Sequence, residues 1–314
     1  MRLTFLGTAS GTPTIARNVS GGAIRFEDGS VWIIDCGEGT QHQLLRTDLR
    51  PGRIDRIFVT HAHGDHCFGL PGLLASIGVH DRTDPVDCHV PAGLGAFVAA
   101  ARKTTRLHLP YRYRIHEFDG AGPVTRAGSW TVTARALEHR VPSVAFVLRE
   151  DERRGRCDPE KVAALGIPEG PGLGRLVRGE NLELEDGRVI TPDQVLGPSR
   201  PGRVVVWCGD SADSRAIIDD ARDCDVLIHE CTFDASRADQ AREWGHSTTA
   251  EVAALIAECR PRLTVLTHFS ARYSTGEGEI AIADLVRAVE AGAPGCAVIA
   301  ADDLMHLDVP AREA

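Results

Sequence analysis

Lysine is almost missing from this chain: Lys103 and Lys161 are the only two in 314 residues. Its positive charge rests on arginine, whose planar guanidinium suits paired contacts to phosphate and carboxylate. A basic excess is missing too. The formal net charge is −9, which argues against a general nucleic-acid binder, so RNA would have to be met by a local patch or a metal. Long apolar runs are lacking, and none approaches the roughly 20 residues that cross a bilayer. The opening Met1-Arg2-Leu3-Thr4-Phe5-Leu6-Gly7 enters a strand-like pattern with no signal region. These absences predict a soluble, cytoplasmic protein with no membrane partner. No two of the nine cysteines form a Cys-x-x-Cys pair, and their number is odd. A disulfide framework or thiolate zinc site is therefore not expected, and most cysteines read as small buried hydrophobes.

What is present is a series of short apolar runs, each ending in polar residues. Segments 3–6, 22–26, 30–35 and 56–60 form one set, and 203–208, 226–230 and 263–267 a second. Buried strands with functional groups just past their carboxyl ends are the habit of α/β folds. Helical spacing appears at Val252, Leu255, Ile256 and Cys259, after a Thr248/Glu251 capping-box pair. Segments 95–104 and 279–291 are further helix candidates. Residues 150–203 differ: a charge run is followed by Gly166-Ile167-Pro168-Glu169-Gly170-Pro171-Gly172, with few large apolar residues. This stretch reads as an insertion projecting from one 314-residue domain.

The strongest local signal is His61-Ala62-His63-Gly64-Asp65-His66. Three imidazoles and a carboxylate on one strand-end loop are the hard and borderline donors that zinc takes, and manganese is also compatible with them. One loop cannot complete such a site. His139, Asp210 and His268 each close a later apolar run and are candidates to converge with it. His42, His80, His89, His108, His116 and His306 sit in no pattern and read as structural or exposed.

With these residues in view, the chain resembles the metallo-β-lactamase superfamily, and within it the tRNA 3′-processing endoribonuclease family, ribonuclease Z. The narrower resemblance rests on Phe5-Leu6-Gly7-Thr8, Asp35-Cys36-Gly37-Glu38-Gly39-Thr40-Gln41 and His229-Glu230-Cys231-Thr232-Phe233. It also rests on Gly245-His246-Ser247-Thr248-Thr249 and Thr267-His268-Phe269-Ser270-Ala271-Arg272-Tyr273. It implies an αββα four-layer sandwich with two zinc ions. One would be held by His61, His63 and His139, the other by Asp65, His66 and His268, with Asp210 bridging.

The resemblance further implies removal of the 3′ trailer from precursor tRNA by phosphodiester hydrolysis in a homodimer. Asp65, His246 and Glu230 would be its catalytic residues, and Asp35 would orient a metal-bound histidine. Residues 150–203 would be the flexible arm that grips tRNA, with Gly170, Pro171, Arg175 and Arg178 in contact. The family's substrate loop, Pro-x-Lys-x-Arg-Asn, appears as Pro13-Thr14-Ile15-Ala16-Arg17-Asn18. Ile15 replaces the lysine, while Arg17 and Asn18 remain as candidate substrate contacts. Two other readings of the same residues are a zinc phosphodiesterase acting on small diesters or other RNAs, and a non-catalytic metal-containing RNA-binding protein.

Overall fold

A computed structural model describes residues 1–78, 82–274 and 280–313. His80 and Glu279, the expected start of the last helix, lie outside them. The strands are β1 (Arg2–Gly7), β2 (Gly21–Arg25), β3 (Val31–Cys36), β4 (Ile54–Phe58), β5 (Val86–Pro91), β6 (Tyr113–Phe118), β7 (Gly122–Ala127), β8 (Trp130–Leu137), β9 (Ser143–Glu150), β10 (Leu182–Glu183), β11 (Val189–Ile190), β12 (Val204–Cys208), β13 (Val226–Glu230), β14 (Thr264–Thr267), β15 (Val298–Ala300) and β16 (His306–Asp308). Among the described residues they form two seven-stranded sheets, ordered β16-β1-β2-β3-β4-β5-β6 and β15-β14-β13-β12-β9-β8-β7, plus the small β10-β11 ribbon.

Each large sheet has a parallel part, β3 through β6 in the first and β12 through β15 in the second. The inner strands β3, β12 and β13 are buried on both faces because both faces of the sheet are covered there. The two-residue period divides them cleanly. Val31 and Ile33 of β3 face one apolar cluster, whereas Trp32 and Ile34 face the layer between the sheets. In β12, Val206 and Cys208 point outward while Val205 and Trp207 join that same middle layer. There Phe5 stacks on Trp207 at 5.6 Å and Phe58 meets Phe146 edge-on at 5.4 Å. A side chain on Gly22 would come within 2.2 Å of the Trp207 ring, so the close approach of the sheets requires glycine there.

Helices Leu70–Ile77 and Leu94–Thr105 cover the outside of the first sheet. Helices Thr249–Cys259 and Ile282–Gly292 cover the second. The result is the expected αββα order. The capping box starts the Thr249–Cys259 helix as its sequence predicts: Thr248 is the N-cap and Glu251 accepts its backbone N–H at 2.9 Å. All nine cysteines are unpaired.

The chain divides into two compact units, Met1–Leu148 with Val204–Pro310, and Arg149–Arg203 with Ala311–Ala314. The second is less bare than its composition suggests. Val162, Ile167, Leu176, Ile190 and Val195 form an apolar cluster of their own. Its two ends are tied by a buried bidentate pair, Arg203 to Glu150 at 2.8 and 2.9 Å. Gly170, at φ 146°, leads into the helix Pro171–Arg178, whose exposed Arg175 and Arg178 both reach Glu180.

Candidate active site

The polar residues that end the parallel strands of both sheets come together. Asp35 ends the run of β3 and His61 follows β4. Asp210 follows β12, Glu230 closes β13 and His268 follows β14. His139 comes after β8. His63, Asp65 and His66 lie at and just inside the short helix Gly64–Cys67. A side chain on Gly37 would sit 2.2 Å from the Asp65 carbonyl oxygen, so the β3 turn and the histidine loop can meet only through glycine.

Two donor groups result. In one, donor atoms of His61, His63, His139 and Asp210 lie within 4.8 Å of one another. In the other, Asp65, His66, Asp210 and His268 do the same. Asp210 belongs to both. Its Oδ2 is 3.5 Å from His61 Nε2 and 3.3 Å from His268 Nε2, and its Oδ1 is 3.4 Å from His66 Nε2. His139 Nε2 approaches His63 Nδ1 at 3.1 Å.

The far nitrogen of four of these rings is held by something else, which fixes the tautomer and aims the other nitrogen inward. His66 Nδ1 donates to Asp35 at 2.8 Å, and His139 Nδ1 to the Gly245 carbonyl at 2.6 Å. His61 Nδ1 meets the Thr60 hydroxyl at 3.1 Å, and His268 Nδ1 meets that of Thr232 at 3.0 Å. Thr60 in turn donates to Asp35, and Thr232 to Glu230. Asp35 and His268 both adopt φ near +58°, at 59° and 58°. Left-handed backbone in residues other than glycine is strained and clusters at functional sites.

The electrostatics fit a cation. Burial and neighbouring His66 hold His61 well below the usual histidine range, against the pull of Asp210. Burial likewise lowers His63 and His139. These rings are neutral and keep lone pairs to offer. Burial opposes a charge on His66, yet Asp210, Asp35 and Asp65 raise its pKa well above normal. The carboxylates here attract positive charge, and a metal would supply it in place of that proton. Among the described residues, the buried Nε2 of His61 has no hydrogen-bond partner. A buried polar atom left unpaired costs about 1–3 kcal/mol, so an orphan aimed at a ring of donors is best understood as a ligand atom.

Beside this cluster, His246 Nδ1 donates to Glu230 Oε1 at 3.0 Å. Glu230 is buried and also accepts from the backbone N–H of Ser211 and of Thr232. Burial alone would raise its pKa, but the His246 interaction outweighs it and keeps Glu230 ionised. Burial alone would lower His246, but Glu230 raises it to about 9.

Sequence comparison supplies the family. A model described as the metallo-beta-lactamase superfamily matches residues 15–211. Ribonuclease Z of Thermosynechococcus vestitus is 42% identical over 311 residues, covering 99% of this chain and 75% of that protein. Ribonuclease Z of a Nostoc species is 41% identical over 313 residues, covering 99% and 96%. The chain belongs to the ribonuclease Z family. It is an endoribonuclease, a hydrolase of the metallo-beta-lactamase superfamily, and it carries a metal cofactor. Among solved structures, human tRNase Z, short form, superposes with a TM-score of 0.71 at 29% identity, covering 99% of this chain and 100% of that one. The fold expected from the ribonuclease Z motifs is the fold found.

Other expected site residues fall differently. Arg17 is buried. Its guanidinium donates to the Thr8 hydroxyl at 2.6 Å and the Ala301 carbonyl at 2.7 Å, pairs with Asp302, and lies over the Phe269 ring. It anchors the loop and does not face solvent. Asn18 is likewise engaged, its backbone N–H on Asp303 at 2.7 Å and its amide on the Glu38 carbonyl at 2.9 Å. Ile15, at the tip of the same loop, is fully exposed. His229 is buried, bonded through its two nitrogens to the Glu230 carbonyl and the Ser214 hydroxyl. The sequence reading missed Thr60, Thr232 and the Gly11 backbone N–H, which donates to Asp65 Oδ2 at 2.8 Å. Both threonines end or follow strands that carry ligands, which was the available signal.

Proposed function

We propose that the chain removes the 3′ trailer of precursor tRNA with two zinc ions, cutting one phosphodiester bond by hydrolysis. The observation that carries this reading is the meeting of two four-donor groups at Asp210 beside the separately held His246–Glu230 pair. His61, His63, His139 and Asp210 would hold one ion, and Asp65, His66, His268 and Asp210 the other. When bound, the metals would lower the pKa of a water and clamp the phosphoryl oxygens.

The chain's own residues do the rest. Asp65, fixed by the Gly11 N–H, orients the attacking water. Burial works against its ionisation, but His66 and His268 keep its pKa well below the usual carboxylate range. Glu230 holds His246 in one orientation and keeps it protonated. His246 then delivers a proton to the 3′ oxygen of the nucleotide that leaves, the step for which its partner keeps it charged. The arm of residues 150–203, with Gly170, Pro171, Arg175 and Arg178, grips the tRNA. The enzyme works as a homodimer in the cytoplasm, where its nine thiols stay reduced.

Single-turnover cleavage of a precursor with a 3′ trailer tests this, comparing metal-loaded wild type, His66→Ala and a deletion of residues 151–195. Cleavage after the last retained base, lost in His66→Ala and much weakened without the arm, supports the reading. Hydrolysis of small diesters with no cleavage of precursor refutes the tRNA assignment and leaves a general phosphodiesterase.

A further inference from the structure

We infer that Trp244 and Arg140 form a subsite for the nucleotide just upstream of the cut, the base stacking on Trp244 and its phosphate meeting Arg140. This rests on the precursor-tRNA reading above and adds to it the recognition of one nucleotide by two residues.

Three of the four tryptophans are buried in the layer between the sheets: Trp32, Trp130 and Trp207 are 2–5% exposed. Trp244 is 44% exposed. It ends the helix Ala238–Trp244, and Phe233 packs edge-on against it with ring centres 6.0 Å apart. The indole is thus held by an aromatic neighbour while much of its surface faces solvent. The indole therefore offers an exposed aromatic surface of the kind on which a base stacks.

Its position sets what that is. Gly245 follows, at φ 78°, and its carbonyl holds His139; His246 comes next. Trp244 is therefore two residues from the group that protonates the leaving 3′ oxygen. The ribose bearing that oxygen carries the last retained base, and that base is the one assigned to Trp244. Arg140 packs against Gly245. A side chain on Gly245 would come within 3.2 Å of Arg140 Cγ and 2.8 Å of His139 Nδ1, so the arginine stem runs along this turn. Arg140 is exposed, and among the described residues it makes no ion pair with a carboxylate. Stacking on an indole is tolerant of base identity, and an exposed guanidinium on the same turn suits the phosphate of the same nucleotide. In a chain of net charge −9, such a local pair is how RNA is met.

The test uses the metal-loaded full-length enzyme and two precursors, one unmodified and one abasic at the nucleotide immediately 5′ to the cut. Single-turnover rates are measured at subsaturating enzyme for wild type and Trp244→Ala. The abasic precursor is expected to be cut about 10- to 100-fold more slowly by wild type, the range of one base–aromatic stack. Trp244→Ala should lose a similar factor on the unmodified precursor and little more on the abasic one. Arg140→Gln should weaken both precursors alike, because both keep the phosphate. Wild type cutting both precursors equally would overturn the subsite, as would losses that multiply in the combined case. If Trp244→Ala fails to fold, Trp244→Gln measured on the same two precursors decides in its place. Wild type that hydrolyses bis(4-nitrophenyl) phosphate but cuts neither precursor overturns the tRNA reading, and the subsite with it.

Discussion

The two halves of the site are built alike and used differently. In the first half, Asp35 at the end of β3 bonds His66 directly and reaches His61 through the Thr60 hydroxyl. In the second, Glu230 at the end of β13 bonds His246 directly and reaches His268 through the Thr232 hydroxyl. Each half thus has a buried carboxylate, a threonine and two histidines on neighbouring parallel strands or the loops after them. The difference is where the histidines point. Both rings served by Asp35 face the donor cluster. Of those served by Glu230, His268 faces it and His246 sits beside it. One carboxylate therefore holds ligands, whereas the other also keeps a proton where a leaving group needs it. A single arrangement of strand ends supplies both tasks, because the parallel strands deliver their carboxyl ends to one edge.

Asp210 is where the comparison breaks down entirely, since it serves both donor groups. Asp210→Ala should abolish precursor cleavage and remove bound metal, read by elemental analysis of the purified protein. Retained metal at wild-type level would show that the two groups do not share it. Next in size is Glu230→Gln. It should slow single-turnover cleavage about 100- to 10,000-fold, the span of a lost general acid, while metal content stays at the wild-type level. His246→Ala should cost a similar factor, and the double variant little more, because the pair acts as a unit. Asp35→Asn should weaken metal binding about 10- to 100-fold, and excess metal should restore most of the rate. The smallest contrast lies in the threonines. Both hydroxyls steady a ligand ring, so Thr60→Val (through His61) and Thr232→Val (through His268) should each weaken metal affinity by less than Asp35→Asn, with most of the rate kept at saturating metal. Titration of chelator-stripped protein with Zn²⁺ reads both affinities.

Much of this was legible in the sequence, for a physical reason. Apolar runs that end in histidine or aspartate can be recognised one at a time, so β3, β4, β12, β13 and β14 and their terminal ligands could be read locally. The Thr248 cap and the buried face of Val252, Leu255, Ile256 and Cys259 are local signals too. Arg17 was not legible. Its partners Ala301 and Asp302 lie some 285 positions away, and nothing near Arg17 says that its charge is satisfied inside. Thr60 and Thr232 were missed because threonine is common at strand ends whether or not it relays a hydrogen bond. The cluster of Val162, Ile167, Leu176, Ile190 and Val195 was missed because sparse apolar residues declare a core only when folding brings them together.

The division of labour between the two carboxylates is tested most directly by measuring zinc content and zinc-saturated single-turnover rate side by side for Asp35→Asn and Glu230→Gln. Asp35→Asn should lose zinc and recover most of its rate when zinc is restored. Glu230→Gln should keep its zinc and remain slow at any zinc concentration. A Glu230→Gln protein that loses zinc as readily as Asp35→Asn, and recovers with it, would contradict the account.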